Sequence, residues 1–172
     1  MATILTHPAV PLALGYGFSN SVISVRLLVA GVAASMLPDI DVIAFEFAIP
    51  YESPFGHRGF THSIAFAAAV GLAAASLYRP LATTRLRGFC FLTAATVSHP
   101  LLDACTNGGL GVALFWPFSI ERYFLPWRSI HVSPIGIADF LNTYGLAVLQ
   151  SELVKIWLPA VVLGVMMRAL TR

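Results

Sequence analysis

Charge is what this sequence has least of. Eight acidic and ten basic residues make up 10% of a 172-residue chain, against a 58% hydrophobic share and a mean hydropathy of +0.80. A soluble domain carries about 25% charged residues, so this composition excludes one and predicts a single integral membrane domain over 1–172. The bases are scattered, with a net charge of +2, so the basic stripe of a nucleic-acid partner is missing and none is expected. Cysteine is nearly absent. Cys90 and Cys105 stand at opposite ends of one apolar stretch, roughly 22 Å apart at helical rise, too far to pair within that helix. Cys105 lies near Asp103, which leaves a minor ligand role beside that of a small core residue. The N-terminus lacks a basic n-region and carries Pro8 and Pro11, so a cleavable signal peptide is not expected. There is no internal repeat and no low-complexity tail.

What is present is apolar in long runs, which predicts an all-α, polytopic protein with about four to five membrane-embedded helices. Residues 22–38 form a run ended by proline and two aspartates, about 25 Å long if helical and enough to cross most of a bilayer. A second span follows Thr61, read as its N-cap, and runs to Tyr78 with small residues on every face. The link 79–87 carries three arginines and is the best cytoplasmic loop. Gly88 to Ala104 is the third span. Residues 105–135, rich in Gly, Pro, Trp and Phe, suit an interfacial loop whose Trp116, Tyr123 and Trp127 anchor the membrane boundary. Ile137 to Leu149 is a shorter apolar segment, and Leu153 to Leu170 a final span.

The few polar residues are gathered. Asp39 and Asp41 end span one, His57 and His62 open span two, and His99 and Asp103 end span three, so all three pairs meet on one membrane face. His7 joins them if residues 8–19 descend as a short helix, with Pro8 at its first position and residues 19–21 as the turn. If the 79–87 link is cytoplasmic, that face is extracytoplasmic, although Arg58, Arg122 and Arg128 then lie outside. Ionisable groups at bilayer depth are costly and mark function.

His99 and Asp103, four residues apart on a helix, project from one face and suit one metal or two adjacent ones. Pro100 between them predicts a kink at the site. Asp39 and Asp41 project to opposite sides if extended, so one is expected as a ligand or bridge and the other as a residue that orients a ligand or acts as general base. An anionic pair at a helix C-terminus opposes the helix dipole, a conflict that a cation removes. Mixed imidazole and carboxylate donors suit zinc, with manganese or iron as alternatives, as one or two divalent ions. The expected ligands are therefore His7, Asp39, His57, His62, His99 and Asp103, with Asp41 and Arg58 as catalytic candidates. Arg58 offers its planar fork to a phosphoryl or carboxylate group, or pairs with Asp39 or Asp41. His131 has no acidic neighbour and is set apart.

The segments THPAVPLALG, LPDID, HRGFTHS and SHPLLDACTNGGLGVALFWPFS, in that order, resemble the YdjM family of LexA-regulated, membrane-bound, metal-dependent hydrolases over roughly residues 5–120. The resemblance implies a multi-pass inner (cytoplasmic) membrane protein with hydrolase activity, in which His7, Asp39, Asp41, His57, His62, His99 and Asp103 match the family's polar motifs. A fainter likeness in ligand types to the zinc-dependent phospholipase C group suggests a phosphoester. Together these give the expectation of a membrane-bound hydrolase that cleaves an ester or phosphoester of a lipid or lipid-linked substrate. Two rivals stand beside it: a cation transporter or channel subunit, and a structural or partner-binding protein whose polar cluster is an interhelical network.

Overall fold

The computed structural model describes residues 1–171, and of Ile137 its backbone only. Its elements are α1 (Ala9–Phe18), α2 (Val25–Met36) continued by a 3₁₀ segment (Leu37–Phe47), a 3₁₀ turn (Phe60–His62), α3 (Ile64–Ser76), α4 (Arg85–Ala104), the single turn α5 (Ile137–Phe140), α6 (Thr143–Glu152), a π segment (Leu153–Trp157) and α7 (Leu158–Leu170). No strand occurs among the described residues, only isolated bridges of Thr106 with Ile130 and Val112 with Tyr123.

Side-chain caps start four of the helices. Ser24 accepts from the Leu27 amide, Ser63 from Phe66, Thr84 from Arg87, and Asn142 from Tyr144 and Gly145, each satisfying a backbone N–H that the first turn leaves without a partner. Ser63, not Thr61, therefore caps α3. The hydroxyl of Thr61 is turned inward to the polar cluster.

Two helical stretches are long and apolar enough to cross a membrane: Val25–Phe47, of 23 residues, and Thr143–Leu170, of 28. Ala9–Phe18 and Ile64–Ser76 are apolar but shorter. The two C-terminal segments read separately in the sequence are thus one helix, because the backbone passes through the π segment without a break. Its outer face, including Leu158, Val161, Val162, Leu163, Val165 and Met166, is exposed. An apolar face of that size needs lipid or protein cover.

Small residues set the packing. A Cβ on Gly71 of α3 would fall 2.8 Å from the Phe89 carbonyl of α4, and one on Gly164 of α7 would lie 3.1 Å from the Ala13 carbonyl of α1. Close backbone approach of this kind maximises dispersion contact where lipid tails compete with apolar side chains. Ile23, Leu27, Ala34, Ala74, Phe91 and Leu92 close the core between α2, α3 and α4.

The bundle has two distinct ends. At one, the turn after α1 and the link before α4 touch, with Ser24 Oγ donating to the Leu81 carbonyl and Arg26 to that of Pro80. The end of α7 joins them through Thr171 on Gly17. At the other end lie residues 1–8, the 3₁₀ segment, the start of α3, the end of α4 and the loop from Thr106 to Gly136. The polar cluster is there.

Candidate metal centre

Each cluster residue arrives on a different element, and local geometry explains how. The 3₁₀ segment that carries LPDID advances about three residues per turn, so Asp39 and Asp41 point to neighbouring sides rather than opposite ones. Both reach His62, one from each side of its ring. Helix α4 runs through Pro100 to Ala104 and presents His99 and Asp103 one turn apart. His7 sits just ahead of α1, whose N-cap is Pro8. Arg58 takes a left-handed backbone, φ 61°, which brings its amide onto Asp41 while its side chain runs the other way. Such a conformation at a non-glycine residue costs about 1–3 kcal/mol and persists only where surroundings enforce it.

His7, Asp39, Asp41, His57, Arg58, His62, His99 and Asp103 are all buried. All of the sequence-expected residues are therefore brought together. The centre has an inner and an outer part that meet at His62. In the inner part, His62 Nε2 lies 3.2 Å from His99 Nε2, 3.6 Å from Asp103 Oδ2 and 3.9 Å from Asp39 Oδ1. His99 Nε2 is 3.2 Å from Asp39 Oδ1. His7 stacks on His99 with ring centroids 3.5 Å apart, and its Nε2 stands 3.8 Å from Asp103 Oδ1 and 3.9 Å from Asp39 Oδ2.

The outer part is organised by Asp41. Its Oδ1 accepts from His57 Nδ1 at 2.7 Å, and its Oδ2 from the Thr61 hydroxyl at 2.6 Å and the Arg58 amide at 3.0 Å, with His62 Nδ1 also 3.0 Å away. His99 Nδ1 meets the Ser35 carbonyl at 2.8 Å.

These second contacts decide the tautomers. A carboxylate and a carbonyl only accept, so His62 and His99 carry hydrogens on Nδ1. With both rings neutral the two Nε2 atoms turn lone pairs toward each other, and a second proton on His62 is one cation that can lie between them. Two lone pairs 3.2 Å apart, with carboxylate oxygens beside them, repel unless a cation lies between. Neither oxygen of Asp39 has a hydrogen-bond partner, nor have His57 Nε2 or either nitrogen of His7, whereas Asp103 is held by the Ala2 amide on Oδ1 and by the Arg58 guanidinium beside Oδ2. Buried polar atoms without partners are costly and rare in native interiors. The two shortest donor spacings, each 3.2 Å, match the edge of a tetrahedral zinc shell, about 3.3 Å for bonds near 2.0 Å, and the others are 3.6 to 3.9 Å. Asp39, His62, His99 and Asp103 form one group able to hold a metal, and Asp41, His57 and His62 a second.

The histidines outside the spans are tuned apart. Burial pushes His7 down to about 3, helped by the neighbouring His99. Burial also lowers His57 against the pull of Asp41. For His62 burial opposes the charge, but hydrogen bonds to Asp103 and Asp41 outweigh it and raise the ring to about 9.

Arg58 departs from its expected partners. Its Nε lies 3.0 Å from Asp103 Oδ2, while Nη1 donates to the Gly108 carbonyl and Nη2 to the Thr106 hydroxyl. It pairs with Asp103 rather than Asp39 or Asp41, because the left-handed turn at residue 58 faces it toward the end of α4. Gly109, at φ 84°, lets the loop approach that guanidinium closely. His131 lies apart, its ring stacked on Tyr144, and Cys105 packs with Ala2, Ala9 and Ile130 rather than on the centre.

Several supporting residues were not foreseen. Thr61 donates to Asp41 rather than capping α3. Arg122 donates to the carbonyls of His57, Tyr51 and Ser53 and so braces the loop that carries His57. Glu152, buried in the C-terminal helix, accepts from the Thr3 amide and from the hydroxyls of Thr3 and Thr6, and thereby holds the segment leading to His7. The signal for Glu152 was a lone acid in an apolar run. The Ser35 contact is made by backbone and leaves no trace in the sequence.

A helical bundle with an exposed apolar girdle and a buried polar centre at one end is the build of an integral membrane protein. The chain matches the YdjM inner membrane protein family over residues 1–172, belongs to that family, and is an inner membrane protein. The match reaches the C-terminus, beyond the motifs that end near residue 120. The chain is also similar to "Inner membrane protein YbcI" of Escherichia coli (strain K12), 46% identical over 164 residues that cover 95% of each chain. No solved structure matches it.

Proposed function

We propose that the protein is a metal-dependent hydrolase that cleaves an ester or phosphoester of a lipid or lipid-linked substrate at the membrane surface. The observation that carries this reading is the pair of facing Nε2 atoms of His62 and His99, each ring fixed by an acceptor behind it, with the unpartnered carboxylate of Asp39 beside them and Asp103 close by. Asp39, His62, His99 and Asp103 would hold a first ion, with His7 beside them. Zinc, manganese or iron bound there supplies Lewis acidity toward the substrate oxygen and lowers the pKa of water.

Asp41 orients rather than reacts, since its oxygens are taken up by His57, His62, Thr61 and the Arg58 amide. His57, held by Asp41 through Nδ1 and kept neutral by burial, has a free Nε2 and accepts the proton of the attacking water there. Arg58 balances the Asp103 charge and fixes its position. Four to five of the helices lie within the bilayer, the shorter ones spanning by virtue of the longer ones packed around them. The centre faces the extracytoplasmic side. Arg26, Arg79, Arg85, Arg87 and Arg168 gather at the opposite end, where no acidic residue lies among the described residues, while Arg58, Arg122, Arg128 and Lys155 at the site end are engaged by internal contacts.

The raised pKa of His62 favours one rival, in which a proton is the shared cation and the centre is an interhelical network. Elemental mass spectrometry on detergent-purified protein separates the two, comparing wild type with His62→Ala and His99→Ala after chelation and reloading. One or two equivalents of metal, lost in both variants together with hydrolysis of phospholipid and lipid phosphate esters, support the hydrolase. Folded wild type that takes up none of the three metals overturns it.

A further inference from the structure

A groove of about 580 Å³ opens beside the centre, walled by Ile4, Leu5, Val42, Ile135 and Phe140, and reaching Asp39. Its size lies within the range of small-molecule sites, about 300–1,000 Å³. Three separate elements build it: the N-terminal segment, the 3₁₀ segment after α2, and the chain leading into α5. Asp39 is 6% exposed, and neither of its oxygens has a hydrogen-bond donor. An apolar trough that reaches a buried, partnerless carboxylate has the two halves of an amphiphile site.

We infer that this groove holds the single alkyl or isoprenoid chain of a membrane amphiphile, with the polar junction of the chain at Asp39. The occupant follows from the surroundings. The protein resides in the inner membrane, where the molecules that join an apolar chain to a polar head are lipids, and a groove of this volume takes one chain rather than a pair. A peptide laid in the trough would leave backbone N–H and C=O groups facing apolar walls, a cost that a hydrocarbon chain does not carry. The scissile bond of such a substrate lies next to its junction, so a chain seated here brings an ester or phosphoester group up to Asp39, the one residue of the centre that lines the groove. The inference rests on the proposed hydrolase for that delivery, but the seating of the chain stands by itself.

The test uses the full chain in nanodiscs and decan-1-ol bearing a terminal diazirine. Irradiation followed by peptide mapping is expected to place the label on Ile4, Leu5, Val42, Ile135 and Phe140. Competing butanol, hexanol and octanol should suppress it at concentrations that fall about fourfold for each methylene leaving water. Ile135→Trp and, independently, Val42→Trp narrow the trough and should cut the labelling about tenfold or more, with the metal content of each variant unchanged. Label spread evenly over the lipid-facing residues of α7, indifferent to competitor and to both variants, overturns the inference. Metal measured on the same samples keeps the two readings apart. Competable labelling of a protein that binds no metal supports the groove and removes the hydrolase. Diffuse labelling of a metal-loaded protein removes the groove and leaves the hydrolase.

Discussion

His62 is the residue on which the centre turns, because its two ring nitrogens serve the two halves of the cluster. In the metal-free protein its pKa is raised from 6.5 to about 9, so the charged ring stabilises the fold fully below 6.5. That contribution is lost as pH rises through about 9. A metal must displace the same proton, so about one proton is expected to leave per ion bound at pH 7, and affinity should rise about tenfold per pH unit up to about 9. Calorimetry in buffers of differing ionisation enthalpy counts the proton, and no release would show that His62 is not a ligand. Asp41→Asn replaces an all-acceptor group with an amide that cannot accept from both rings through both atoms. Metal affinity is expected to fall about 10–100-fold while the helical circular dichroism stays as in wild type.

At the scale of elements, the centre depends on parts remote from it. The segment before His7 is tied to the C-terminal helix by Glu152, and Trp157 Nε1 donates to the same Thr6 hydroxyl. Glu152→Ala leaves buried donors of Thr3 and Thr6 without acceptors and should cost about 1–3 kcal/mol, read as a lowered melting temperature. Glu152→Gln, which keeps an acceptor, should recover part of it. A melting temperature unchanged by the alanine variant would mean that the latch is not formed in the membrane. Gly71→Val places a branched side chain against the Phe89 carbonyl and Thr93, forcing α3 from α4 and shifting His62 relative to His99. Loss of metal together with loss of stability is expected, by titration and thermal scan.

Over the whole molecule, charge is sorted between the two ends as firmly as hydrophobicity is sorted between core and girdle. In a cell, with both native cysteines replaced by alanine, Glu52→Cys at the site end should react with a membrane-impermeant maleimide in intact spheroplasts. Asn20→Cys at the arginine end should react only after lysis. The reverse pattern would place the centre on the cytoplasmic side. The broad loop from Thr106 to Gly136 belongs to this scale too, since it closes over the site end, supplies the carbonyl of Gly108 to Arg58 and carries Arg122 onto the His57 loop.

The sequence by itself determined the apolar, all-helical character of the chain, the polar clusters and their arrival at one end of the bundle, because hydropathy and His/Asp spacing are local and successive apolar runs turn back on one another. It held α1 with Pro8 at its start, and the residue types of the buried cluster that the fold brings together. Only the tertiary structure decided that Asp41 stands behind the histidines, that Arg58 faces Asp103, and that Ser63 rather than Thr61 caps α3. Those outcomes depend on a 3₁₀ rather than an extended backbone at residues 37–47 and on a left-handed turn at residue 58, both imposed by packing between distant segments. The Ser35 carbonyl behind His99 and the trough beside Asp39 are of the same kind, made of backbone and of shape, which no residue type announces.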